Sequence, residues 1–577
     1  MSRFGSNARL SWWARRLASF ATVCGCLLAP PAGRAASADP PRLLIEDRVL
    51  NPVDERLFGQ FMEIASWGEP GPEALVDPAT GTLPEGVVDL LRWMGPPVIR
   101  FPGGTDVDDM DWTHRIDGVP GRGIDRPLSH GQRDNTITSR FGYDEFLRLA
   151  ESIGAEPMLV VNFGSAVSGP WSVEAGAEKA ASMVAYCNAE PGEHTGSDGV
   201  DWGGVRAANG REAPWGVKYW QIGNEVWFYF RKAAEERAAA GVDRARWMTE
   251  ALVAYARAMK AVDPSITLIF DGKLGDAELE RQVLGDAEVR SLIDMVTLHR
   301  YQPGGVKRVL RRGNEIDPAE LSSEELWYAW VSMPSDYGDE GQTLAFRHGL
   351  AGPRTPYTLA STEWNWNGWG GGINRHEDLS SLAQGLGVAG FLHGMMRQGE
   401  HLRLATQSML VGVSWGIAAI QADPDGAHPP YIQPSGLATG LYRRHHGDRL
   451  LASRLQGKVP SATQDLAIEG WGRVEVRSPL PLLDVAVTRS DDAVFIHAIN
   501  RRLHASQPLS IDLSAFDHAD TADRWTLAPK PAAERVEARD AASVTATHHQ
   551  FDDGATFHVT LPPASVSILR VAIRHGP

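Results

Sequence analysis

Residues 218–227 read KYWQIGNEVW. The apolar run stops at Gly223, and an amide, Asn224, and a carboxylate, Glu225, follow at once between aromatic neighbours. A buried strand that ends this way has two readings. It is either an ordinary strand end meeting water or the carboxyl end of a barrel strand, where a parallel barrel collects its reactive groups. The rest of the chain decides between them.

Working outward, short apolar runs alternate with helical patterns from about Leu57 to Leu410, as repeated βα units require. The runs predict strands near Leu57 to Ile64, Val98 to Pro102, Pro157 to Phe163, Val217 to Gly223, Thr267 to Phe270, Met295 to His299, Thr358 to Thr362 and Ser408 to Val413. Eight such strands predict a (β/α)8 barrel over residues 54–441. Between them Phe146, Leu149 and Ile153 share a helical stripe, as do Met248, Leu252, Tyr255, Met259 and Val262. The second stripe stops at Asp263-Pro264, where proline cannot continue a helix. After Tyr442 the texture changes to strands alone: Val485 and Val487, then Val494, Ile496 and Ala498, alternate about the Ser490-Asp491-Asp492 turn. Residues 442–577 therefore predict a β-sandwich.

The 577 residues, 43% hydrophobic and 22% charged, suit a large globular protein, and the formal charge of −16 disfavours nucleic acid as a partner. Residues 1–38 carry Arg3, Arg9, Arg15, Arg16 and Arg34, no acidic residue, an apolar stretch from Leu17 to Leu28 and the small-residue site Ala36-Ser37-Ala38. This layout predicts a cleaved signal peptide, an exported (periplasmic or secreted) protein and no permanent membrane span. Of three cysteines only Cys187 lies beyond that segment, so neither an intrachain disulfide nor a cysteine zinc site is expected.

Glu225 ends the fourth predicted strand and Glu363, in STEWNWNGWGGG, the seventh, so both face the same barrel mouth. Two carboxylates flanking one bond are what glycoside hydrolysis needs. Trp220, Trp227, Trp364, Trp366 and Trp369 lie nearby in sequence, and aromatic faces stack on sugars. Asp106, Asp108 and Asp109 lack the spacing of a calcium loop and read as a solvated acidic loop or a polar wall. No metal and no cofactor are expected.

The ordered segments LFGQFMEI, VIRFPGGTD, FGYDEFLRLAESIGAEPMLVVNFG, MVAYCN, VKYWQIGNEVW, VTLHRY, STEWN, LATQSMLV and LYRRHHGDRLL resemble the α-L-arabinofuranosidases of glycoside hydrolase family 51. The resemblance implies a retaining exo-enzyme that frees terminal arabinofuranosyl residues from arabinose-containing oligo- or polysaccharides of hemicellulose or pectin. It implies Glu225 as acid/base and Glu363 as nucleophile, with carboxyls roughly 5 Å apart. Burial and the charge of Glu363 are expected to keep Glu225 protonated at rest. Glu63, Asn224 and Gln407 match residues that hold sugar hydroxyls, Arg100 an arginine beneath the site and Tyr301 a phenol beside the nucleophile. His299 reads as a supporting histidine and His393 as core. For Arg100 and Gln407 the competing reading is a structural polar network within the barrel. The family also implies that residues 39–53 add a strand to the sandwich, and a homo-oligomer.

Thr105 stands where relatives commonly carry Asn or Cys, and Ile64 where they carry His. WNWNGWGGG is also unusually rich in Trp and Gly. These departures fall on loops that shape the pocket, so the reaction is more firmly implied than the sugar. The competing functions are an endo-acting β-glucanase or xyloglucanase and a carbohydrate-binding barrel without turnover.

Overall fold

A computed structural model of the chain describes residues 39–131, 135–302, 308–317, 320–332, 357–366, 377–399, 401–463, 465–469, 473–475, 479–530, 542–551 and 556–574. The leader reading falls on residues 1–38, outside them.

Eight parallel strands close a barrel in chain order: Gly59–Phe61, Val98–Phe101, Glu156–Val161, Tyr219–Ile222, Thr267–Asp271, Met295–Gln302, Thr358–Trp366 and Leu402–Ser408. Inside it, Val98, Met158, Tyr219, Ile269, Met295, Ala360 and Leu404 form one apolar cluster near the amino-terminal ends. Two residues further along each of several strands the lining turns polar, with Arg100, Gln221, Thr297, Thr362 and Thr406 all fully buried. This alternation follows the two-residue period of a strand. It floors the carboxyl-end site with hydrogen-bonding groups. Outside, the helix Arg244–Val262 starts on Asp243, whose carboxylate accepts from Ala245 N and Arg246 N, and lays its expected stripe into the core.

Two strand ends differ from expectation. The eighth strand is Leu402–Ser408, earlier than the apolar run Ser408 to Val413 predicted. That run lies mostly beyond the barrel, and its Val411–Gly412 pairs with Ile420–Gln421 in a small separate sheet. Apolarity there reflects Leu410 and Val411 joining the core cluster around the barrel, not a place in the barrel's own ladder. The seventh strand continues to Trp366, so Glu363 lies within it, and pairing with the sixth strand shifts register between Ala360 and Glu363.

The β-rich part is built on a nine-stranded sheet, with Ser461–Ala462 and Leu480–Pro481 pairing separately. Arg42–Pro52 lies between Arg449–Gln456, its antiparallel neighbour, and Gln507–Asp512, its parallel one. Leu43, Val487, Val494, Ile496, Leu509, Leu569 and Val571 share one cluster, while Ala486, Ile499, Val566 and Ile568 join barrel-side residues such as Leu386. One face thus encloses its own core and the other packs on the helix Glu377–Arg397. On that helix His393 is fully buried, as read, with its Nε2 2.7 Å from the Tyr442 hydroxyl.

Candidate active site

Asn224 and Glu225 occupy the turn between the fourth strand and the helix Trp227–Ala239. Glu225 has φ of +45°, the left-handed region, which costs a non-glycine residue about 1–2 kcal/mol. Its Oε1 lies 3.0 Å from His299 Nδ1, which is also 3.5 Å from Glu363 Oε2. One oxygen of each glutamate and a ring nitrogen of His299 all lie within 4.8 Å of one another. This is the spacing of a nucleophile and an acid, too short for the water that an inverting pair must hold.

Glu363 is held from both sides. Arg100 Nη1 donates to its Oε1 at 3.0 Å and the Tyr301 hydroxyl to its Oε2 at 2.8 Å, with Ser408 Oγ 2.7 Å from the same phenol. Arg100 also donates through Nε to Gln221 Oε1 at 3.0 Å and through Nη2 to Asn224 Oδ1 at 2.6 Å. Its fork therefore orients the amide and one carboxylate together. Asn224 is fully buried, and its Nδ2 has no hydrogen-bond partner among the described residues. A buried N–H without a partner is uncommon, and this one is free to donate to a ligand oxygen.

Burial, reinforced by the charges of Glu363 and Asp106, pushes the Glu63 carboxyl well above the usual range. The shift favours its protonated form, which can donate. Gly104, at φ +66°, backs directly onto it, and a β-carbon there would sit 1.7 Å from Glu63 Oε1. Gly104→Ala should lower kcat/KM about a hundredfold by displacing Glu63, read in steady-state kinetics on an aryl glycoside. Thr105 follows, half-buried, at the start of a short 3-10 turn.

The shift at Glu225 runs opposite to the one expected, because His299 lies against it. Burial raises the Glu225 pKa, but the hydrogen bond and charge of His299, with Arg100 and Lys273, outweigh it and hold the carboxyl below its usual value. Burial lowers the His299 pKa, yet the charges of Glu363 and Glu225 and the bond to Glu225 outweigh that and raise it. These opposite shifts favour the proton on His299 over Glu225, and His299 Nε2 lies 3.0 Å from Thr362 Oγ1. The depressed Glu225 stabilises the fold above its unfolded value of about 4.5 and loses that contribution as pH falls. The raised His299 stabilises it fully below about 6.5 and loses that contribution as pH rises. His299→Asn should therefore lower Tm most, relative to the natural protein, between about pH 4.5 and 6.5 in calorimetric scans across pH.

Other expectations fare differently. Gln407 is fully buried, and its Oε1 accepts from Gln60 Nε2 at 3.0 Å and from Thr439 Oγ1, on the outer helix Pro434–Arg444, at 2.6 Å. It thus joins the structural network rather than the open pocket. Trp220, Trp364 and Trp366 are fully buried core residues, not sugar platforms, because their strand positions face the helical layer. Trp227 lies beneath Lys273 at 4.8 Å, and Trp369 lies outside the described residues. Asp106 and Asp108 are buried rather than solvated, whereas Asp109 is exposed. Asp106 accepts from Ser66 N and Oγ, and Asp108 from Phe163 N, Gly164 N and Asn224 N. Burial lifts the Asp108 pKa to about 6, and that of Asp271, at the end of the fifth strand, to about 7.

Sequence reasoning missed Asp271, Ser66, Ser408 and a rim pair, Trp67 and Trp415, with ring centroids 4.4 Å apart. The rim pair is braced by Glu69, which accepts from Val413 N, Ser414 N and Trp415 N. Glu225, His299 and Glu363 also have donor types that suit a divalent cation. Arg100 and Tyr301 already engage both oxygens of Glu363, so hydrogen bonding accounts for the grouping.

A parallel barrel carrying two glutamates this close at the carboxyl ends of its strands is the catalytic architecture of a retaining glycoside hydrolase. The family model described as Alpha-L-arabinofuranosidase 1 domain matches residues 90–309, and that of the Alpha-L-arabinofuranosidase C-terminal domain matches residues 363–565. The chain belongs to the α-L-arabinofuranosidases of glycoside hydrolase family 51.

An intracellular exo-alpha-(1->5)-L-arabinofuranosidase of Streptomyces lividans is 27% identical over 82% of this chain and 66% of its own length. This chain therefore spans just under two thirds of that relative. A protein of the same name from Halalkalibacterium halodurans is 25% identical over 81% of this chain and 85% of its own. The fold matches the α-L-arabinofuranosidase of Thermotoga maritima, solved as an arabinose complex, with a TM-score of 0.68 at 21% identity, covering 92% of this chain and all of the other. Both sequence relatives are named intracellular, which overturns the expectation of an exported, periplasmic or secreted protein. Among the described residues no helix is long and apolar enough to cross a membrane.

Proposed function

We propose that the protein is a cytoplasmic, retaining, exo-acting α-L-arabinofuranosidase that releases terminal arabinofuranosyl residues from short arabino-oligosaccharides. The observation that carries this reading is the pair Glu225 and Glu363 on one histidine, with the unfilled Asn224 Nδ2 beside them. The names of the two bacterial relatives supply the sugar and the exo mode. A cytoplasmic enzyme meets only fragments small enough to be taken up, which favours oligosaccharides over polymers.

In the first step Glu363 attacks the anomeric carbon while Arg100 and Tyr301 hold its oxygens in line. As the glycosidic bond breaks, the proton of His299 Nδ1 passes across the 3.0 Å bond to Glu225 and from Glu225 to the leaving oxygen, which leaves His299 neutral and Glu225 a carboxylate. Ester formation removes the Glu363 charge that keeps His299 protonated, so the proton's departure and the new bond reinforce each other. In the second step Glu225, again a carboxylate, takes a proton from water as the water attacks the ester carbon. That proton then returns to His299 when Glu363 is freed. Glu63, whose protonated form burial favours, donates to one sugar hydroxyl and Asn224 Nδ2 to another.

The test compares arabinose release from 4-nitrophenyl α-L-arabinofuranoside and arabino-oligosaccharides with viscosity loss of soluble glucans. Arabinose release without viscosity loss supports the reading. Viscosity loss without arabinose release would replace it with the endo-glucanase, and binding without turnover on a broad glycoside panel with the non-hydrolytic barrel.

A further inference from the structure

Glu225 must keep its carboxyl at one place while its backbone sits in a conformation that non-glycine residues avoid. The peptide N–H groups on either side of it are both gripped by buried carboxylates from other parts of the barrel mouth. Asn224 N donates to Asp108 Oδ2 at 2.9 Å, and Val226 N donates to Asp271 Oδ2 at 3.0 Å. Each carboxylate is anchored in turn through its second oxygen. Asp108 Oδ1 accepts from Phe163 N and Gly164 N, both at 2.8 Å, just past the third strand. Asp271 Oδ1 accepts from Lys273 N at 3.0 Å, beyond the fifth. Both aspartates are 3% exposed.

We propose that Asp108 and Asp271 are positioning residues that clamp the acid/base turn from its two sides and so aim Glu225 at the leaving oxygen. The inference rests on the reading of Glu225 as acid/base. The strands on either side of the fourth, third and fifth, thereby fix the turn between them. Only a carboxylate does this from one side chain, because it accepts on two oxygens at once. An asparagine in either place keeps one acceptor and turns an N–H donor toward the other peptide N–H. Asp271 also orders the backbone of Lys273, whose ammonium covers Trp227 at 4.8 Å and whose charge acts on Glu225.

The experiment uses the full chain with Asp271→Asn and, independently, Asp108→Asn. For each, kcat/KM is measured on a dinitrophenyl arabinofuranoside, whose leaving group needs no proton, and on an alkyl arabinofuranoside, whose leaving group does. The ratio of the two constants does not depend on how much of a preparation is folded, so partial misfolding leaves the test intact. Should Asp271→Asn give no folded protein, Asp271→Glu, which keeps both acceptors but moves them outward, takes its place. A fall on the alkyl substrate at least tenfold larger than on the dinitrophenyl one is expected. An unchanged ratio in variants of an enzyme that turns over both substrates would overturn the clamp alone. No turnover of either arabinofuranoside by the natural protein would overturn the proposed function, and the clamp with it.

Discussion

Glu363→Ala should reduce arabinofuranosidase turnover by about 10⁴-fold or more, the scale seen when a covalent nucleophile is removed from a group that acts as a unit. Much of the site converges on this side chain. The Arg100 guanidinium and the Tyr301 hydroxyl each give a hydrogen bond to one of its oxygens, and His299 Nδ1 lies 3.5 Å away. Truncation leaves Arg100, itself fully buried, without its charge partner, and stranding a buried charge costs several kcal/mol. Some loss of Tm should therefore accompany the loss of activity. Small anions supply the discriminating measurement. Azide fits the space the carboxylate leaves, faces the same guanidinium and attacks the anomeric carbon directly. It should restore turnover of an activated aryl substrate and yield the glycosyl azide of inverted configuration, identified by NMR. Turnover at the natural rate, or a retained azide product, would remove Glu363 from the nucleophile's place.

How much of this was legible in the sequence depends on whether a residue's partner lies near it in the chain or only in space. The barrel was legible because each strand carries its own apolar signature, and Val98, Tyr219 and Met295 reach the same interior cluster from three such runs. The eighth strand was not. Leu402–Ser408 is broken by Arg403, Thr406 and Gln407, while the following Met409–Val413 is more apolar but packs in the surrounding core outside the barrel ladder. Glu225 and Glu363 were legible because strand position alone puts them at one mouth. Asp108 and Asp271 were not, because their meaning lies in backbone N–H groups 116 and 45 residues away. The tryptophans around Glu363 misled for a related reason: composition gives aromaticity, whereas the direction in which Trp364 and Trp366 point follows from ladder register. His299 was seen as a support, but its hold on the acid's proton needs distances to two carboxylates that only the folded strands supply.

Glu225→Ala should act through the leaving group and not uniformly. A positioned general acid contributes about 10²–10⁴-fold when the departing oxygen needs a proton, so alkyl and oligosaccharide substrates should lose activity on that scale. A dinitrophenyl arabinofuranoside, whose phenolate leaves unaided, should form the glycosyl-enzyme at close to the natural rate. Its hydrolysis then lacks the base that activates water, so the covalent species should accumulate, seen as a burst of dinitrophenolate followed by a slow phase. Azide needs no base and should relieve that slow phase. The sugar is then still on Glu363, so the second displacement should give a glycosyl azide of retained configuration, opposite to the product from Glu363→Ala. The pH profile adds a second reading of the same proton. The natural enzyme needs one proton shared by Glu225 and His299, so its kcat/KM should fall at high pH as that proton leaves. In Glu225→Ala the residual turnover of alkyl substrates no longer draws on that proton, and the high-pH fall should flatten. An equal loss on both classes of substrate, with no burst, would place the proton donor elsewhere than Glu225.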